Sequence, residues 1–307
     1  MTDAVATPAA DAPIMAHRSL WDDVWRKFSN HTGALVGTGI FVFIVLGVLI
    51  GPYIHTIDPQ LIDIRAKNAA PSWAHPMGTD QLGRDMLAQV LAGGRVSLAV
   101  GVTAMLLSLV LGALVGVLAG FFKRIDGALM RFTDLFLALP LLPLLLVIIM
   151  LFRDTLRSMF GPETGIFLLI VFVIGITSWM QTARIVRGDV LALKEQEFVL
   201  AARSIGTRQR RIITRHILPN VLSPIMVSAT LGIANAIITE SALSFLGLGF
   251  PSDFPTWGRL LYDAKDFITL TPARALWPGL AISLTVLSVN YMGDGLRDAL
   301  DPRARGR

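Results

Sequence analysis

The chain has 307 residues, 53% of them hydrophobic and only 16% charged, with a mean hydropathy of +0.62. Soluble domains carry roughly 45–50% apolar and ~25% charged residues, so an ordinary soluble fold is excluded. The lack of cysteine removes disulfides, thiolate metal sites and cysteine nucleophiles. The net charge of +5 is spread between apolar runs, a pattern that fits anionic headgroups and loop orientation better than nucleic acid.

In chain order, residues 1–18 are rich in Ala, Pro, Asp and Thr and are expected to be disordered. Leu20, Val24, Trp25 and Phe28 then recur at helical spacing with Arg26 and Lys27 opposite, which predicts an interfacial amphipathic helix. Residues 1–33 are thus read as a tail carrying that helix, and 34–307 as a membrane domain.

A hydrocarbon core of ~30 Å needs about 20 apolar residues of helix. Six runs meet this, at 34–54, 96–122, 128–152, 165–185, 221–238 and 276–292. The first is too long for a signal-peptide core, and no small-residue cleavage site follows it. In the second, Gly112, Gly116 and Gly120 share one face, which allows close helix packing in lipid. The third contains Pro140 and Pro143, each of which removes a backbone hydrogen bond; the resulting break either lines a cavity or only improves packing. An inside N-terminus puts 18 of the 27 basic residues in the inner loops, so both ends are expected in the cytoplasm. Within the spans, Asn235, Glu240 and Asn290 are polar and are candidates for a translocation path. His31, His55 and His75 are scattered near membrane ends.

The segment 186–220 is long for a connection between membrane helices. In it, Phe198, Ala201, Ala202 and Ile205 fall on one helical stripe, Gly206 supplies a stop, and Arg203, Arg208, Arg210, Arg211 and Arg215 form a basic rim. The pattern suits either a helix seated in a partner's groove or one resting on headgroups.

This segment resembles the signature of ABC importer permeases: Glu-Ala-Ala, three residues, Gly, nine residues, then Ile-x-Leu-Pro. Ala201, Ala202, Gly206, Leu218 and Pro219 match in register, whereas Leu200 replaces the glutamate and His216 the isoleucine. The stretch from His75 to Asp85 followed by Gly93–Leu98, the stretch Ala242–Gly249 with Thr256–Gly258, and the ending from Pro278-Gly279-Leu280 through Gly293 to Arg303 are similar to the second, "C-type", permease of the dipeptide, oligopeptide and nickel importers.

The resemblance implies an all-α polytopic bundle of six transmembrane helices with the type I importer fold, in the bacterial inner membrane. It implies a second permease completing a heterodimer, two cytoplasmic ATP-binding subunits carrying ATP and Mg, and an extracytoplasmic binding protein, with membrane lipid around and no nucleic acid. Glu197, Phe198, Ala201, Ala202, Arg203, Ile205, Gly206, Leu218 and Pro219 would then couple to an ATPase, and Asp80, Gly83, Arg84 and Trp257 would lie at outer-loop contacts. The chain has no phosphate-binding Gly-rich loop, no catalytic pair and no His-Glu-x-x-His metal motif, so no enzyme activity, cofactor or metal is expected of it. Peptides are the expected cargo. The same architecture carrying nickel chelates or glutathione-like compounds is the alternative. A secondary transporter would need internal repeats and buried ion ligands, and a membrane enzyme would need convergent catalytic groups.

Overall fold

A computed structural model describes residues 20–300; the expected disorder of residues 1–18 falls outside them. The described residues are helical, with no strand beyond an isolated bridge between Thr79 and Asp85. Among the described residues, five helices are long and apolar enough to cross a membrane: α2 (Thr32–Ile54), α3 (Met86–Phe121), α6 (Pro162–Leu193), α9 (Leu218–Phe245, continuous from Gln209) and α11 (Ala273–Leu300). A sixth crossing exists only if α4 (Lys123–Ala138) and α5 (Leu141–Phe160) count together. Ahead of them, α1 (Leu20–Asn30) is the predicted amphipathic helix; its Phe28 packs over Gly295 of α11.

The third run is therefore not one continuous helix over 128–152. It bends by 87° at Leu139 and Pro140, because Pro140 cannot continue the ladder of α4 and instead opens α5. The second span begins ten residues before its predicted start at 96. Its polar first turns hid it: Asp85 caps the helix by accepting from the Ala88 amide, and Gln89 and Arg95 are held by partners. At 36 residues, α3 is ~54 Å long, well beyond the hydrocarbon core. The fourth, fifth and sixth spans likewise extend past the predicted 165–185, 221–238 and 276–292, so the predicted loop 186–220 gives its first eight residues to α6.

The glycine face of α3 lies against α6. A Cβ on Gly112, Gly116 or Gly120 would come within about 2.7 Å of the α6 backbone or of the side chains of Thr182, Val186 and Val190. Larger residues there would separate the two helices that form the centre of the bundle. Val100, Leu145, Ile149, Ile170, Ile174 and Leu243 fill the core shared by α3, α5, α6 and α9.

At the end of the bundle that carries the start of α3, side-chain bonds tie the connections to the helices. Pro52 has no N–H, which orphans the Val48 carbonyl of α2; Arg95 of α3 donates to it and to the Leu49 carbonyl, both at 3.0 Å. The Asp85 carboxylate, fully buried, holds His55 at 2.9 Å and His75 at 2.8 Å. These histidines, scattered in sequence, thus pin the end of α2 and the outer loop to the start of α3. A short helix, α10 (Trp257–Ala264), is inserted between α9 and α11 with Thr256 as its cap.

Candidate functional site: cavity and helical foot

The connection between α6 and α9 forms a foot made of α7 (Glu197–Ser204), followed by α8 (Gln209–Ile212) and one π turn (Ile213–Ile217) that runs straight into α9. Glu197 lies in the first turn, where a negative charge suits the helix dipole. Gly206, at φ +76°, ends the helix as predicted: its amide bonds the Arg203 carbonyl and the Thr207 amide reaches the Ala202 carbonyl, a paired left-handed stop that β-carbons disfavour.

The predicted stripe does not face one way. Val199 and Ala202 point inward and are buried with Phe121, Val190, Ile212 and Ile217 at the inner end of the bundle. Arg203 stacks over the Phe121 ring, and the Lys194 ammonium bonds the Gly120 carbonyl. Phe198, Leu200, Ala201 and Ile205 are turned outward, Ile205 with 83% of its surface exposed. Ala202 thus belongs to the anchor and not to the outward face, and Val199, absent from the sequence reading, is its deepest residue. Helical periodicity shows that two faces are apolar; it does not say which one the bundle takes. Leu218 and Pro219 follow the π turn, where α9 begins. Arg208, Arg210, Arg211 and Arg215 are exposed and make no ion pair among the described residues.

A second feature is a cavity of about 340 Å³ among α3, α6, α9 and the α4–α5 break. Leu139 and Leu141 at the break line it, so the proline-induced bend shapes a cavity wall. Of the candidate path residues, Asn235 lines it; Gln181, Thr182 and Ser228, which the sequence reading passed over, also line it. Among the described residues, no charged one does. Its neighbours on α4 bear ion pairs, Asp126 with Arg187 and Asp134 with Arg184, that tie the inner half of α4 to α6.

Glu240 does not reach this cavity. It is fully buried, accepting from Ser97 at 3.1 Å and from Ser244 at 2.8 Å, while Ser97 in turn accepts from the Trp257 amide. The carboxylate joins α3, α9 and α10 into one hub. Asn290 is half-buried on α11 and also lies off the cavity.

The outer-loop residues divide in the same way. Trp257 is 1% exposed and donates from its indole to the Val90 carbonyl. Asp80 is buried and accepts from the amides of Leu82 and Arg84 and from Gln89. Gly83, at φ +78°, sits so close to the Asp63 carbonyl that no β-carbon fits. Of the four, Arg84 alone reaches the surface with its charged end, 3.4 Å from the Ser252 carbonyl.

Comparison with known proteins gives concordant matches. Residues 86–306 match the family described as binding-protein-dependent transport system inner membrane component, and residues 19–71 match the N-terminal transmembrane domain of oligopeptide transport permease C. The chain is 38% identical to the oligopeptide transport system permease protein OppC of Bacillus subtilis, over 99% of this chain and 97% of that protein. It is 41% identical to a putative peptide permease protein of Brucella suis, over 91% and 90%, and 38% identical to a putative peptide transport system permease protein of Brucella abortus, over 91% of each.

Proposed function

Because the chain belongs to the binding-protein-dependent transport system inner membrane components, as a multi-pass permease subunit and not itself an enzyme, we propose that it forms one half of the path of an ATP-driven peptide importer. The cargo is di- or oligopeptides. The membrane is the bacterial inner membrane, with both termini cytoplasmic. A second permease of the same family completes the path, two cytoplasmic ATP-binding subunits carry ATP and Mg, and an extracytoplasmic binding protein delivers the peptide. The permease names of the relatives support the peptide reading, and the excess of basic residues in the inner loops supports the orientation.

One observation carries the coupling assignment. The foot is fixed to the bundle by Val199 and Ala202 and presents Phe198, Leu200, Ala201 and Ile205 on its other side. A short helix with a buried anchor and an exposed apolar face fits a groove on another protein. We assign that groove to the ATP-binding subunit. Glu197 and Arg203 flank the contact, Gly206 ends it, and Leu218 and Pro219 pass its motion to α9. Closure of the ATP-binding subunits then displaces the foot and, through α6 and α9, favours one access state of the cavity over the other. On the outer side Arg84 is the contact we assign to the binding protein; Asp80, Gly83 and Trp257 shape that surface from beneath.

The test is co-purification. The wild-type chain should retain both ATP-binding subunits in detergent. Removing Ala201–Gly206, or the milder Ile205→Asp, should release them while the second permease stays bound. Retention of the ATP-binding subunits by both variants would overturn the coupling assignment.

A further inference from the structure

The cavity is uncharged, yet it is not simply apolar. Gln181 on α6 and Asn235 on α9 both line it, and both residues are exposed. Neither carboxamide makes a hydrogen bond with any described residue. The hydroxyls on the wall are mixed: Ser108, Ser178, Thr182 and Ser228 also make no side-chain bond with a described residue, whereas two threonines do. Thr177 and Thr239 spend their hydroxyls on the carbonyls of Val173 and Asn235 within their own helices. The two carboxamides are the long polar side chains left with free donors and acceptors. In a membrane protein an unpartnered polar side chain on a cavity wall signals a hydrated path or a ligand.

A carboxamide carries the same groups as a peptide bond: an N–H donor and a carbonyl acceptor, both neutral. It can donate to a backbone carbonyl and accept from a backbone amide of an extended peptide, directly or through one water. It has no net charge with which to prefer one side chain over another.

We propose that Gln181 and Asn235 contact the backbone of the passing peptide, and that this half of the path is blind to the charge of the peptide's side chains. The inference rests on the peptide reading above and adds to it the residues and the basis of tolerance. Neutral hydrogen bonds are individually weak, each worth little more than one bond to water, so they guide the backbone without trapping it. A fixed charge at either position would act at short range in a poorly screened space and would sort cargo by sign. Selection by side chain then belongs to the binding protein.

The experiment uses the complete transporter in proteoliposomes, with the binding protein saturated in turn by three tripeptides of equal length bearing a cationic, a neutral or an anionic central side chain. The wild type should turn over all three within about twofold. Asn235→Asp should slow the anionic peptide relative to the cationic one by about tenfold or more, by like-charge repulsion in a low-dielectric path. Gln181→Glu should do the same and stands in if the first variant fails to assemble. Asn235→Leu should slow all three together. Unchanged ratios in both acidic variants would overturn the inference while leaving the peptide reading intact. A wild type that moves none of the three peptides would overturn the peptide reading, and the inference with it.

Discussion

The hub around Glu240 and the foot built on α7 both rest on residues that stand out in the sequence, but they treat those residues in opposite ways. In the hub, Glu240, Trp257, Asp80 and Asp85 are buried and their hydrogen bonds are met inside the chain. In the foot, Phe198, Leu200 and Ile205 are apolar and left in the open outside the spans. A motif whose groups satisfy one another is structural, and damage to it should appear as lost stability. A motif that leaves apolar surface unmet is half of an interface, and damage to it should appear as lost partners with the fold intact.

Breaking the foot should give the largest functional effect. Ile205→Asp places a charge on the exposed face, and transport should fall by about a hundredfold or more. The thermal midpoint in detergent should barely move, since surface substitutions usually shift stability by about 0.5 kcal/mol or less. Breaking the hub should give the largest stability effect. Trp257→Ala removes a fully buried ring and its bond to Val90, and should cost about 3–5 kcal/mol in thermal unfolding. A smaller loss is expected for Arg95→Leu, which leaves the Val48 carbonyl without a donor and removes a second bond to the Leu49 carbonyl. About 1.5–3 kcal/mol is expected, and Pro52→Ala should recover part of it by restoring an amide for Val48.

The smallest effect sharpens the contrast through pH. Asp263 lies on α10, outside the membrane-spanning helices, where burial raises its carboxyl above the usual range against the pull of Arg259. A raised carboxyl binds its proton more tightly folded than unfolded. Its contribution is therefore full below the ordinary carboxylate pKa and declines as pH rises through the folded value. Asp263→Asn should raise the thermal midpoint slightly near pH 7, with the gain vanishing in acid; a gain that persists at low pH would assign it to packing instead.

The six hydrophobic runs and the loop signature were legible because membrane thickness and helical period act on local sequence. Three features were not. The start of α3 hid behind Gln89 and Arg95, whose partners are Asp80 in the preceding loop and the Val48 carbonyl 47 residues away on α2. The orientation of α7 hung on which apolar face the bundle would take, and Val199 settled it through contacts with Phe121 and Ile217 from distant segments. The joining of His55 and His75 through Asp85 depends on a loop path that no spacing encodes. Pro140 was legible as a break, but its role as a cavity wall required α6 and α9 to be in place.

The central claim is that the outward face of α7 is covered by an ATP-binding subunit. The chain has no cysteine, so Ile205→Cys would be its only thiol. Maleimide labelling of this chain, read by its mass, should be rapid when the permease pair is purified without the ATP-binding subunits and at least tenfold slower in the complete transporter. Equal rates in the two states would contradict the account.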